Sequence, residues 1–128
     1  MKKKLASLFL TLLGILSLTG CTLSTGSQEE ILALLKDNQV IEKNWDYVDV
    51  YNDAESRTIN FVYVNPMNAY NVVSIPDSEQ DKYAISVNTN VVLEYKGDSY
   101  VGFDEPETIT NWEVTKSDDD LQITKVED

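Results

Sequence analysis

The hydrophobic period of the chain changes twice. Residues 5–18 form a run without charge, in which Leu8, Phe9, Leu10, Leu12, Leu13, Ile15, Leu16 and Leu18 supply the apolar side chains. A comfortable membrane span needs about 20 apolar residues, so this run is too short for one. A second regime begins at Ser27. Ser27 followed by Glu30 has the form of a capping box, and Glu29 and Glu30 suit the positive end of a helix. Ile31, Leu34 and Leu35 then share one face, widened by Leu32 and Ala33, and Asp37-Asn38 ends the run. The pattern predicts a helix of about ten residues, too short to be stable alone, which must pack its stripe against other elements.

Beyond the helix the period falls to two. Segments 47–51 and 58–64 read as strands separated by Asn52-Asp53-Ala54-Glu55-Ser56. In the second, Ile59, Phe61 and Tyr63 point one way while Thr58, Asn60, Val62 and Val64 point the other. Tyr83, Ile85 and Val87 alternate with small or polar residues, and Asn88-Thr89-Asn90 reads as a connection to a further strand through Val91, Leu93 and Tyr95. Gly97-Asp98 predicts the next turn, with a short strand at 100–103 after it. Trp112 and Val114 mark one arm of a last hairpin, Ser117-Asp118-Asp119-Asp120 its turn, and 121–126 the other arm. Short strands joined by polar turns predict an antiparallel sheet. The expected class is α+β, a short N-terminal helix packed on a sheet built of hairpins. An all-β sandwich or small barrel with a peripheral helix is the alternative.

The apolar N-terminal run has a definite context. Lys2, Lys3 and Lys4 precede it, and Leu18-Thr19-Gly20-Cys21 closes it. A basic segment, an apolar segment and small residues before a cleavage point are the parts of a secretory signal. The four-residue box resembles the lipobox of bacterial lipoproteins, position by position, over residues 1–21. That resemblance implies acylation of the Cys21 thiol by diacylglycerol, cleavage before Cys21, and retention on the extracytoplasmic face of the cell membrane. Thr22 is not the aspartate associated with inner-membrane retention in double-membraned cells, which leaves an outer-membrane location open. The expected organisation is a signal peptide over 1–20, a lipidated cysteine and tether over 21–26, and a single domain over 27–128. The tether, Thr22 to Gly26, reaches about 17 Å when extended at about 3.4 Å per residue, which keeps the domain close to the bilayer. A further reading makes the released leader, through residues 12–20, the precursor of a secreted peptide signal.

Charge narrows the partners. The chain holds 22 acidic and 10 basic residues, and the leader contains three of the basic ones. The mature chain then carries 7 basic and 22 acidic residues, a formal charge of −15. Nucleic acid is not expected as a partner, because binding a phosphate backbone depends on Lys and Arg releasing counterions. A basic protein partner, or simple solubility, fits better.

Candidate chemistry is sparse. Histidine is absent and Cys21 is the single cysteine, which removes Ser-His and Cys-His mechanisms and every zinc spacing. No glycine-rich phosphate loop can be found among five glycines. The expectation is a non-catalytic protein without a cofactor. Asp118, Asp119 and Asp120 form the densest acidic cluster, a candidate for weak cation binding, followed by Asp46, Asp49 and Asp53. Neither stretch has the central glycine and closing glutamate of a calcium loop. Pro66 predicts a loop over 65–71 that displays Met67 and Tyr70 among asparagines, the candidate interaction loop. The sequence therefore reads as a membrane-anchored envelope lipoprotein, a protein-interaction module with an acidic surface. A small-molecule or divalent-cation binding module is the alternative.

Overall fold

A computed structural model describes residues 26–118 and 120–127 of the chain. The leader, the lipobox, Cys21 and most of the tether lie outside the described residues, as does Asp119. One helix, α1 (Gly26–Asp37), is followed by seven strands: β1 (Asp46–Asp53), β2 (Thr58–Val64), β3 (Tyr70–Pro76), β4 (Lys82–Lys96), β5 (Ser99–Asp104), β6 (Thr108–Ser117) and β7 (Asp120–Val126). All the pairings are antiparallel. Six strands run in the order β1-β2-β3-β4-β6-β7, and β5 pairs with β4 off this path. The sheet is open, with β1 and β7 at its edges, so no barrel forms. With one short helix against seven strands the molecule is mostly β, nearer the sandwich alternative than the α+β class expected first.

Two features missed in the sequence produce this shift. The first is β3. Its burial is nearly uniform from end to end, as is that of β2, so neither strand shows a polar face. A strand covered on both sides need not alternate between apolar and polar, and in β3 the adjacent Val72 and Val73 interrupt the period-two signal that β2 keeps. The second is β4. Asn88-Thr89-Asn90 does not turn the chain. Strand β4 continues through it with a bulge, because Tyr70 pairs with Val91 while Val72 pairs with Asn88. Two residues of β4, Thr89 and Asn90, thus face the single residue Asn71, and Asn90 adopts a left-handed φ of 52°. A bulge of this kind bends the strand and raises its twist. The proximal half of β4 stays in the main sheet between β3 and β6, and the distal half pairs with β5 alone.

The bend creates two layers of packing around β2 and β3. On one face Ile59, Phe61, Tyr63, Val73 and Ile75 meet Tyr83, Ile85, Val87 and Val114, and Ile31 and Leu35 of α1 cover them. On the other face Tyr51, Val62, Val72 and Val91 are buried beneath Tyr70, Leu93, Tyr100 and Phe103. The β4–β5 hairpin therefore folds back over the sheet and reaches β1. Each buried aliphatic side chain contributes on the order of 1.5–3 kcal/mol relative to exposure.

Helix α1 begins at Gly26, so Ser27 lies inside its first turn and does not precede it. Buried Gln28 donates from Nε2 to the Pro76 carbonyl at 2.8 Å and ties the helix to the end of β3. At the other end Val40 N–H donates to Leu35 O and Gln39 N–H to Lys36 O, the two bonds of a Schellman stop. Gln39 is the left-handed residue of that stop, at φ 61°. The expected turns at Gly97-Asp98 and at Asp118 are present, with left-handed φ values of 66° at Gly97 and 54° at Asp118.

Two outcomes follow from this packing. Glycine removes the steric cost of the left-handed backbone, so Gln39→Gly is expected to raise stability by about 0.5–1 kcal/mol in urea unfolding. Burial pushes the Tyr51 hydroxyl up to about 12, with the carboxylates of Asp53 and Glu94 adding to the shift, and burial raises Tyr63 further. These groups hold their protons more tightly when folded. Their contribution is complete below about pH 10 and is lost as pH rises toward 12. An absorbance titration at alkaline pH should show a late tyrosinate phase that coincides with loss of the fold.

Candidate functional site

The described depressions of the domain open at its surface. The depression with the strongest chemical character is a cleft of about 440 Å³ at the helix-side end of the β2–β3 hairpin. Glu42, Asn44 and Trp45 line it from the segment after α1, and Asn65, Pro66 and Met67 from the β2–β3 loop. Asn71 from the start of β3, and Thr89 and Asn90 from the bulge of β4, complete it.

Each wall has a local cause. The β2–β3 loop is held by Asn65, whose Oδ1 accepts the N–H groups of Met67 at 2.9 Å and Ala69 at 3.0 Å. Backbone bonds from Asn65 N–H to Ala69 O and from Asn68 N–H to Asn65 O close the same loop. Asparagine is suited to this work because its short side chain imitates a turn of backbone. The result is a stiff loop that leaves Met67 85% exposed at the cleft rim. Opposite, the Trp45 ring packs at 6.2 Å on Tyr63, which Tyr47 meets edge-on at 5.9 Å. The back wall is clamped by Asn90, whose Nδ2 donates to Glu107 Oε1, and by Glu107 N–H, which donates to Thr89 O at 2.8 Å. The hydroxyls of Thr89 and Thr108 are hydrogen-bonded beside it.

Asn71 is the chemically distinctive residue of this cleft. Its side chain is 1% exposed, and its Oδ1 accepts the Asn90 N–H at 3.0 Å. That bond replaces the one the ladder loses at the bulge. It also fixes the amide orientation, since only oxygen can accept from a backbone N–H. Nδ2 is then left buried with no hydrogen-bond partner among the described residues. An unpaired buried donor costs about 1–3 kcal/mol. Such a group calls for an acceptor oxygen, supplied by an ordered water or by a ligand in the cleft.

The residues singled out in the sequence are only partly brought together. Met67 stands at the cleft rim as expected of a displayed residue. Tyr70 does not: it begins β3 and packs against the buried cluster on the opposite face. The strand alternation turns it away from Asn71, which the loop reading had placed beside it. Asp118 and Asp120 are exposed at the β6–β7 turn, and Asp119 lies outside the described residues. Among the described residues no group of three or more His, Cys, Asp or Glu side chains is placed to hold a metal ion. Asp53 serves the β1–β2 turn, accepting from the N–H groups of Glu55 and Ser56, and Asp49 accepts from its neighbour Val50 N–H. Glu42, Trp45, Asn71 and Asn90 were not legible as site residues. The one available signal was the density of asparagines at 65, 68, 71, 88 and 90.

Two further depressions are open to solvent. One, of about 520 Å³, is lined by residues that include Arg57, Lys82 and Glu113, and the other, of about 330 Å³, includes Asp81, Lys116 and Asp118. Neither contains a buried unpartnered polar side-chain atom among the described residues.

No protein-family model, curated protein or solved structure matches this chain.

Asn71 and Met67 should respond unequally to truncation. Asn71→Ala strands the Asn90 N–H at the bulge, and unfolding should show a loss of about 1–3 kcal/mol. Met67→Ser, at an exposed loop tip, should leave stability within about 0.5 kcal/mol.

Proposed function

We propose that this chain is a lipid-anchored protein of the cell envelope, held through Cys21 on the extracytoplasmic side of the membrane, whose domain is a non-catalytic module for binding another protein. The observation that carries the binding role is the stiff loop that presents exposed Met67 beside a cleft with an unsatisfied buried amide. Stiffness at such a position lowers the entropy lost on association. Methionine is among the residues enriched in protein interfaces. The anchor rests on the Leu18-Thr19-Gly20-Cys21 box behind its basic and apolar segments.

Absence of catalysis is supported by the side chains available. The chain has no histidine, and its one cysteine is assigned to lipidation. Glu42 is the carboxylate on the cleft lining, while Glu107 stands behind Asn90 and accepts from its Nδ2, so the two do not form a pair across the cleft surface. A small-molecule reading keeps one argument, the same Asn71 amide, which any neutral acceptor could satisfy. The exposed methionine on a rigid loop favours a protein surface over a solute.

The experiment that tests this reading is chemical crosslinking of the native lipoprotein on intact cells, followed by mass spectrometry of what is attached. One recurrent protein partner is expected, with recovery that falls as salt rises, because exposed charges are screened beyond about 8–10 Å at physiological ionic strength and above. Recovery of no protein would count against the interaction role. In parallel, Cys21→Ser should abolish acylation. Mass spectrometry would then find the unprocessed precursor and no diacylglyceryl adduct, whereas an acylated Cys21→Ser protein would remove the lipobox assignment.

A further inference from the structure

We infer that the cleft receives an extended basic segment of the partner protein, with a backbone carbonyl on Asn71 Nδ2 and a lysine or arginine side chain between the Trp45 ring and the Glu42 carboxylate. This assignment rests on the interaction reading above and names the chemistry of its partner.

Three observations select that occupant. The unpaired Asn71 nitrogen is a neutral donor at 1% exposure, so it calls for an acceptor oxygen. No lysine or arginine lines the cleft, which leaves a phosphate or carboxylate without a counter-charge and points to a neutral carbonyl. The charged group on the lining is Glu42, in a chain of formal charge −12, so the field at the cleft favours a cation. Trp45 adds an aromatic ring, which attracts an ammonium or guanidinium group and also packs against its methylene stem. Met67 at the rim offers a flexible apolar contact to the neighbouring residue of the segment. An extended basic peptide supplies a neutral carbonyl, a cation and an aliphatic stem within two residues. A neutral sugar would satisfy Asn71 and stack on Trp45, but it would leave the negative field unused.

The test places a benzoyl-phenylalanine photocrosslinker at Met67 of the full-length lipidated protein on intact cells, and separately at exposed Val92 as a control. Adduct formation at position 67 is expected, on a peptide of the partner rich in lysine or arginine, with little at position 92. Acetyl-Gly-Lys-Gly-Lys-Gly-amide should compete for it, and the same peptide with acetylated lysines should not. Glu42→Lys, an exposed change that leaves the core intact, should lower the yield at least tenfold. A protein adduct at position 92 and not at 67 would overturn this inference while leaving the interaction role in place. A position-67 adduct that is a carbohydrate, that maps to an acidic or uncharged segment, or that is indifferent to Glu42→Lys or the lysine peptide would also overturn it. No protein adduct at either position would count against the interaction role itself.

Discussion

A pair of strands buried on both faces must be covered twice, and most of this architecture answers that requirement. Strands β2 and β3 carry Ile59, Phe61, Tyr63, Val73 and Ile75 on one side and Val62 and Val72 on the other. The single short helix among the described residues is too little material to close both sides. The solution is to cover one side with α1 and to bend β4 so that its distal half and β5 close the second. The bulge at Thr89 and Asn90 makes that bend, and the Asn71 side chain supplies the hydrogen bond the ladder gives up there. The cleft lies at the same point because its wall is made of the bulge itself.

How much of this was legible depends on how local the cause is. Helix α1, the alternation in β2, and the turns at Gly97 and Asp118 are written in neighbouring residues, and the sequence predicts each of them. Strand β3 is not, because its adjacent Val72 and Val73, both buried, interrupt the period that would reveal it. The asparagines of β4 mislead for a related reason. Asn88 reads as turn material, yet it is buried and donates from Nδ2 to the Val72 carbonyl at 3.2 Å and to Ser86 Oγ at 3.3 Å. Tyr70 was assigned to a loop because Pro66 breaks pairing, but the break extends only to Ala69. The cleft draws its lining from the segment after α1, the β2–β3 loop, β3 and β4, so no single window of sequence contains it. Only its Met67 corner could be anticipated.

Charge and stability are largely separate in this molecule. The ion pair between Lys116 and Glu79 spans 3.9 Å at partly and largely exposed side chains, a geometry that contributes little. Apart from Asn71 Nδ2, buried polar side chains of the described sheet find partners there, as where Ser74 Oγ donates to Asn60 Oδ1 at 2.5 Å. The acidic excess therefore costs the fold some self-repulsion, which apolar burial offsets. It acts at the surface, as a negative field around the domain.

The bent strand also grades the durability of the molecule along one continuous backbone. From Ser86 to Asn88, β4 has a paired neighbour on each edge, whereas beyond Val91 it has β5 alone. Opening of the distal half exposes one ladder, and opening of the proximal half requires the main sheet to come apart. Amide protons beyond Val91 can thus exchange with solvent through a local excursion, while those of Ser86 to Asn88 must await global unfolding.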